Sequence, residues 1–559
     1  MDNTDYNENT ELLNDTETPN TTKPDEASQV LLKGAAILAV AGIVSKIFGA
    51  IFRIPLTNMI GATGQAYYKV AYDIYQLLFV LATAGFPVAI SRMVSSRIAE
   101  NDYINAHKSY KLAMKISSAL GAAGFVFMLF GASPIAHAYD IPGAEASIRA
   151  LSLAMLITPI VASFRGYYQG RQVMTPTAVT EVVEQMVRVA IGLSLAYMFY
   201  KTSLENAAAG ATFGASAGIA AALVVMIFIY VKDKRKREEM LADSVEKDED
   251  DKTRFKELIS FLIPVSIGAA VFPIMFNIDN AIVIRRLMAT GWDRNTSEVL
   301  FGLMGGYCDP IINLPNIFID AICISLMPAI TTAFTLKNKK ELDGHLKTGL
   351  KTMMIIAYPC TIGLIVLAKP ILTMLFYKKY DEAVMAVPIL QILSLIIVTG
   401  AIMRTFATSL QGIGKMMLPV RNLFIGAIIK AIVSYSLIGI HAININGAPI
   451  GTVIAYITAG VLNYIALRKY ANVEVDAKNV LLKPLVAALI MGAATIAVYK
   501  IIMLTVGSNI LGVLISMAAA VLVYFVTIFK TRTITREEMN LIPKGDLIYN
   551  FAVKMKIAE

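Results

Sequence analysis

From Gly34 to residue 529 the chain returns again and again to apolar runs of about twenty residues. At 1.5 Å per residue each run is long enough to cross roughly 30 Å of hydrocarbon. About fourteen such runs are read, at 34–60, 66–97, 109–137, 147–170, 176–200, 206–231, 256–286, 300–334, 346–376, 383–411, 418–441, 448–470, 480–503 and 510–529. The fold class is therefore an all-α integral membrane protein. Composition agrees: 56% of the 559 residues are hydrophobic, only 16% are charged, and the mean hydropathy is +0.61, outside the range of a soluble globular chain. No soluble domain fits between the runs.

Residues 1–33 are polar and acidic, a composition that cannot bury a core and predicts a disordered tail. They lack the basic start and short apolar stretch of a signal peptide, and the first apolar run is full length. Lys and Arg set the orientation, because cytoplasmic loops carry their excess. With both termini inside, roughly thirty Lys and Arg fall on the cytoplasmic side and about eight outside. The largest cluster, Lys232-Asp-Lys-Arg-Lys-Arg237, directly follows a hydrophobic run, so it reads as a topology marker. The net charge of +9 is then mostly topological and does not argue for a nucleic-acid partner. The acidic stretch Glu246-Lys-Asp-Glu-Asp-Asp251 in the same linker is expected to be solvated.

Several chemistries find no residues to carry them. Cys308, Cys323 and Cys360 lie inside apolar runs without paired spacing or a nearby histidine, and read as small core residues, not as zinc ligands or disulfide partners. The nearest lookalike of a phosphate loop, Gly412-Ile-Gly-Lys415, has neither the spacing nor the hydroxyl. No cofactor is expected, and no nucleotide hydrolysis.

The chain repeats itself. Gln169-Gly170 followed by Met174-Thr-Pro176 resembles Gln411-Gly412 followed by Met417-Leu-Pro419, and Ile104-Asn-Ala-His107 resembles Leu342-Asp-Gly-His345. Both matches imply a period of roughly 240 residues. Six helices per repeat place both copies in the membrane in the same direction, an arrangement found in transporters. The expected organisation is a tail at 1–33, a six-helix half at 34–231, a charged linker at 232–256, a second six-helix half at 257–470, two additional helices at 480–529 and a cytoplasmic tail at 530–559.

Ionisable residues inside the runs carry the functional signal, since a charge at mid-bilayer costs about 2.5–3.5 kcal/mol and persists with a partner or a wet cavity. In the first run Gly42, Lys46, Gly49 and Arg53 stand at i, i+4, i+7 and i+11, one cationic, sterically open face. In the eighth, Asp309, Asn313, Asn316 and Asp320 repeat that spacing beside Pro310 and Pro315, which should kink the helix. These stripes either pair with each other to fix packing or line a cavity between the two halves. Asp73 and Gln76 in the second run form a smaller face that could partner Arg53. Glu184 and Arg188 have the spacing of an intrahelical pair. Arg165 and Arg404 precede the repeated Gln-Gly, where interfacial snorkelling explains them almost as well as ligand binding. Asn277, Asp279 and Asn280 form a candidate cation cluster.

Two six-helix halves, the motif Ser45-Lys46-Ile-Phe-Gly49-Ala-Ile-Phe-Arg53 and the repeated Gln-Gly…Pro resemble the multidrug/oligosaccharidyl-lipid/polysaccharide exporter superfamily. Ile54-Pro-Leu-Thr-Asn58, Ile60-Gly-Ala-Thr-Gly64 and Ala84-Gly-Phe-Pro-Val-Ala-Ile-Ser91 look most like its lipid II flippase branch and the stage V sporulation protein B group. The resemblance covers roughly residues 30–530. It implies two lobes in a V, with two further helices that shape a groove for a lipid tail. It also implies a bacterial plasma membrane, and alternating-access export of an undecaprenyl-pyrophosphate-linked cell-wall precursor through a cationic cavity. Lys46 and Arg53 match the family's first-helix cations. Gram-negative members, however, carry an Asp-Arg pair in the eighth helix where this chain has Asp309-Pro310, so that arginine does not carry over.

The physical chemistry agrees with that implication. A pyrophosphate group cannot cross hydrocarbon unaided, and Lys46 and Arg53 offer it charge-assisted hydrogen bonds in low dielectric. The expected partners are a lipid-linked anionic glycan, membrane lipid and a coupling monovalent cation, with Asp73, Asp309 or Asp320 as coupling candidates. Two rivals stay open: a sister transporter for another lipid-linked oligosaccharide or for drugs, and a membrane glycosyltransferase. The last would need an acid or base on an outward loop, where Asp293 and Glu298 near Trp292 are the pair of note.

Overall fold

The computed structural model describes residues 26–534, apart from Glu246, and short pieces near 549–554. The expected tail at 1–33 thus lies mostly outside the described residues. Its last eight residues, Glu-Ala-Ser-Gln-Val-Leu-Leu-Lys, instead open the first helix, because they are good helix formers continuous with the apolar run.

Among the described residues, thirteen helical stretches are long and apolar enough to span a membrane. One of them, residues 40–99, is 60 residues long, enough for two passes. Helix α1 (Glu26–Thr83) would be about 87 Å long if straight, nearly three times the hydrocarbon core. It breaks at Gly61, where φ 63° and ψ −167° form a corner open only to glycine. That the arms fold back on each other is shown by side chains far apart in sequence: Gln65 Nε2 donates to Thr57 Oγ1 at 2.9 Å, and the rings of Phe52 and Tyr68 lie 6.1 Å apart. The second arm continues past a break at Ala84 as α2 (Gly85–Ala99).

The first half is completed by α3 (Tyr103–Ala138), α4 (Glu145–Gly170), α5 (Thr175–Phe199) and α6 (Leu204–Lys232). The linker holds the short α7 (Lys234–Ala242). The second half comprises α8 (Asp251–Ala289), α9 (Arg294–Gly302), α10 (Asp309–Thr335), α11 (Lys339–Val366), two short helices α12 (Ala368–Leu375) and α13 (Tyr380–Met385), α14 (Val387–Gly412), α15 (Met417–Ile438) and α16 (Gly447–Ala471). Helices α17 (Lys483–Thr505) and α18 (Asn509–Lys530) form a hairpin, and α17 rests on α11. The packing pattern recurs between halves. Helix α4 packs on α3 and α6, and α5 on α6, as α14 packs on α11 and α16, and α15 on α16.

The linker end of the bundle is built from ion pairs, and here the acidic stretch departs from expectation. Glu249 is not simply solvated: it accepts from Arg97 of α2 at 2.5 and 3.1 Å. Asp250 caps α8 through the Thr253 hydroxyl and amide, which hold its carboxyl below the usual range. Arg97 also reaches Glu257 at 2.6 Å, fastening α2 to α8 across the two halves.

The opposite, distal end is sealed by the α1 corner. The Ala62 amide donates to Glu382 of α13 at 2.7 Å, which also accepts from Tyr307 at 2.5 Å. Asn58 donates to the Leu375 carbonyl at 2.8 Å and accepts from the Lys378 amide at 3.3 Å. Gly302 lets α9 run against α1, since a Cβ there would collide with the Ala62 carbonyl. Gly302→Ala is therefore expected to cost about 1–3 kcal/mol, seen as a lower melting temperature of the purified protein. Gly363→Ala in α11, which meets nothing within 4 Å, should be neutral or slightly stabilising.

Candidate substrate cavity

The site begins with a missing amide. Pro310 at the start of α10 cannot donate to the preceding turn, and residues Leu303–Cys308 adopt a π-turn of the kind often found at functional sites. Two carbonyls of this turn accept from α1: Arg53 Nη1 donates to the Gly305 carbonyl at 3.3 Å and Thr57 Oγ1 to the Gly306 carbonyl at 3.2 Å. Gly305 and Gly306 allow this approach, because a Cβ at either would strike Lys69 or Gln65. The cationic first arm of α1 and the polar stripe of α10 are thereby held face to face.

Two adjoining cavities lie between them. The smaller, about 340 Å³, is lined by Lys46, Arg53, Asp309, Asn313, Asn316, Asp320 and Arg404 among the sequence-predicted residues. The larger, about 670 Å³, shares Arg53, the α10 stripe and Arg404, adds Asp73 and Gln76, and extends to Gln411 and Pro419 at the linker end. The cavities thus gather residues from helices far apart in sequence. Arg165 lines neither. It is drawn to α5, donating to Glu184 at 3.0 Å and to Thr180 at 3.3 Å.

Several expected pairings rearrange. Glu184 binds Arg165 and leaves Arg188 free to cross the helix interface, where it donates to Tyr68 at 2.6 Å and Tyr72 at 3.2 Å. Asp73 does not partner Arg53. It is taken by Lys69, one helical turn earlier, at 2.8 Å. The candidate cation cluster already contains an ammonium, since Lys430 sits 2.8 Å from Asp279 and Asn277 donates to the carbonyls of Asp73 and Pro273. Asp293 caps α9 and Glu298 accepts from Tyr67 at 3.0 Å, so both carboxylates have structural partners.

Lys69 is the residue that the sequence reading missed. Buried to 5% exposure, it lies between Asp73 on its own arm and Asp309 of α10 at 3.7 Å, so one ammonium joins the two halves. Its signal was the (i, i+4) spacing to Asp73, a pattern too common on helices to stand out. Asp320 is shared between Arg404 at 2.7 Å and Lys46 at 3.8 Å. The Lys46 pair is half-exposed to the cavity, at 46% and 50%, and is correspondingly weak. The stripes therefore do both things weighed from sequence: they pair, and they line a cavity.

Replacing Lys69 by Met should strand two carboxylates and destabilise the protein by about 3–5 kcal/mol. Lys69→Met with Asp73→Asn and Asp309→Asn should recover most of that loss in thermal unfolding. Equal melting of the single and triple variants would show that the triad is not a buried ionic link.

The comparisons with known proteins agree with this architecture. The family of polysaccharide biosynthesis proteins matches residues 31–334, and the MatE family matches residues 305–436. The lipid II flippase MurJ of Bacillus subtilis (strain 168) is 29% identical over 495 residues, covering 86% of this chain and 90% of that protein. The stage V sporulation protein B of the same organism is 24% identical over 528 residues, covering 92% and 98%. Among solved structures, the lipid II flippase MurJ in its inward closed conformation superimposes with a TM-score of 0.65 at 18% identity, over 88% of this chain and 98% of that one. The extent of these matches and the shared membrane architecture lead to one conclusion: the chain belongs to the polysaccharide biosynthesis protein family, within the multidrug/oligosaccharidyl-lipid/polysaccharide exporter superfamily of membrane transporters.

Proposed function

We propose that the protein is a flippase that carries a polyprenyl-pyrophosphate-linked cell-wall precursor, lipid II foremost, from the cytoplasmic to the outer leaflet by alternating access. The observation that carries this reading is the smaller cavity between the halves, where cations outnumber carboxylates: Lys46, Arg53, Arg188 and Arg404 against Asp309 and Asp320, whereas in the larger one Arg53, Lys69 and Arg404 face Asp73, Asp279, Asp309 and Asp320. An excess of carboxylates around Lys46 and Arg53, in the smaller cavity, would instead suit a cation-coupled drug antiporter. The name of the Bacillus subtilis relative, lipid II flippase, supports the choice of substrate class.

The excess of Lys and Arg on the linker end supports an orientation with that end, and both termini, in the cytoplasm. The larger cavity extends toward this side, while the distal seal closes the other. Pyrophosphate would enter the cavity and the polyprenyl tail would remain in lipid. Once inside, its oxygens compete with Asp309 for Lys69 and with Asp320 for Arg404 and Lys46, loosening links between α1, α10 and α14 that hold this conformation. Because every one of these links is an ion pair, the membrane potential or a cation gradient could bias the exchange. Polysaccharide biosynthesis as the matching family favours another lipid-linked glycan as the second reading.

In cells depleted of their main lipid II flippase, expression of this protein should restore outward accessibility of lipid II. Lys46→Ala combined with Arg53→Ala should abolish the rescue while the protein still reaches the membrane. Rescue that survives the double substitution would sink the cationic-cavity mechanism. Failure of the intact protein to rescue would favour the second reading.

A further inference from the structure

Not all the cations around the smaller cavity are neutralised. Asp320 engages Arg404 and Lys46, Asp309 engages Lys69, and the carboxylate that Arg188 could reach on its own helix, Glu184, is bound to Arg165. Among the described residues, Arg53 and Arg188 make no ion pair. Their partners are neutral: Gln65 and the Gly305 carbonyl for Arg53, the Tyr68 and Tyr72 hydroxyls for Arg188.

The two guanidinium groups are nonetheless firmly placed, on one aromatic column. Tyr68 and Tyr72 stack at 5.7 Å and 9°. Arg53 lies 4.7 Å from the Tyr68 ring centre, and Arg188 lies 5.4 Å from that of Phe52 and 5.0 Å from that of Tyr72. These contacts hold each plane by cation–π attraction without cancelling its charge. Donors are also left over. A guanidinium has five N–H groups in a fixed fork. Arg53 uses only Nη1, and Arg188 uses one contact on each Nη, so each has donors to spare. Both residues line the smaller cavity. Two oriented guanidinium groups at bilayer depth without an ion pair of their own are costly, even with Asp309 in Coulombic reach of Arg53, and the cost is relieved when a mobile anion arrives between them.

We infer that Arg188 is a substrate-binding residue and that, with Arg53, it forms a two-guanidinium seat for the diphosphate of the lipid-linked substrate, one guanidinium to each phosphoryl group. This rests on the flippase reading and makes it more specific. Arginine suits the task because its fork binds phosphate oxygens bidentately. Both residues belong to the first half, and the aromatic column of Tyr68 and Tyr72 that holds them belongs to it as well. The seat selects diphosphate over monophosphate linkages, because a monophosphate satisfies one guanidinium and leaves the other without its anion.

The test uses the full-length protein in nanodiscs, with farnesyl diphosphate and farnesyl monophosphate as probes. The intact protein should bind the diphosphate at least about ten-fold more tightly. Arg188→Gln should erase that preference while leaving monophosphate affinity within about two-fold. Tyr72→Phe removes an acceptor of Arg188 but neither guanidinium, and should retain the preference. Arg188→Gln with an unchanged preference would overturn the seat, as would parallel loss of both ligands in Arg188→Gln and Tyr72→Phe, the mark of a packing role. If the intact protein binds neither probe, the flippase reading itself fails.

Discussion

Inside a bilayer an ion needs a counter-ion, a strong dipole or water, and the centre of this protein is organised around that requirement. Lys69 links the halves because it is buried with two carboxylates, one from each half. Lys430 and Asp279 pin α15 to α8 in the same way. Asp320, more exposed, is shared between two cations on different helices. A buried pair that loses one partner costs several kcal/mol, so these links are strong in one arrangement and replaceable only by another that supplies the same charges. An anionic headgroup is such a supply. The electrostatics that stabilise this conformation are therefore also what makes it responsive to substrate.

Backbone geometry sets where those charges meet. The Gly61 corner folds α1 onto itself and brings its cationic arm beside the arm that carries Lys69. Pro310 removes a donor from the α10 ladder, and the carbonyls of Gly305 and Gly306 in the turn before it accept from Arg53 and Thr57. Neither device supplies much stability by itself. Together they fix the register between the two halves at the depth of the cavity, while the distal contacts of Asn58 and Glu382 close one end. A cavity that extends toward one face and is sealed at the other is the arrangement an alternating-access carrier requires.

Much of this was legible in the residues. The membrane spans followed from hydropathy because a span of hydrocarbon demands a run of fixed length, and a hydropathy count even separated the two arms that a continuous helix joins through Gly61. The stripes of α1 and α10 were visible because helical periodicity puts i, i+4, i+7 and i+11 on one face. Partner choice was not visible. Glu184 and Arg188 have the spacing of a pair, yet tertiary packing gives Glu184 to Arg165 and Arg188 to two tyrosines. Lys69 stayed hidden because its second partner, Asp309, is 240 residues away, a relation that local spacing cannot express. The α12–α13 segment, first read as parts of two neighbouring spans, proved to be the distal latch through Glu382, since short helices carry no periodic signal.

The central claim is that substrate moves through the cavity between the halves as the distal seal opens. It is tested most directly by leaflet exchange of a fluorescent polyprenyl-diphosphate-linked disaccharide in proteoliposomes, using protein with Asn58→Cys and Lys378→Cys at the seal. The account predicts exchange when the cysteines are reduced, arrest when a cross-link joins them, and recovery on adding reductant. Exchange at the same rate with the seal cross-linked would contradict it.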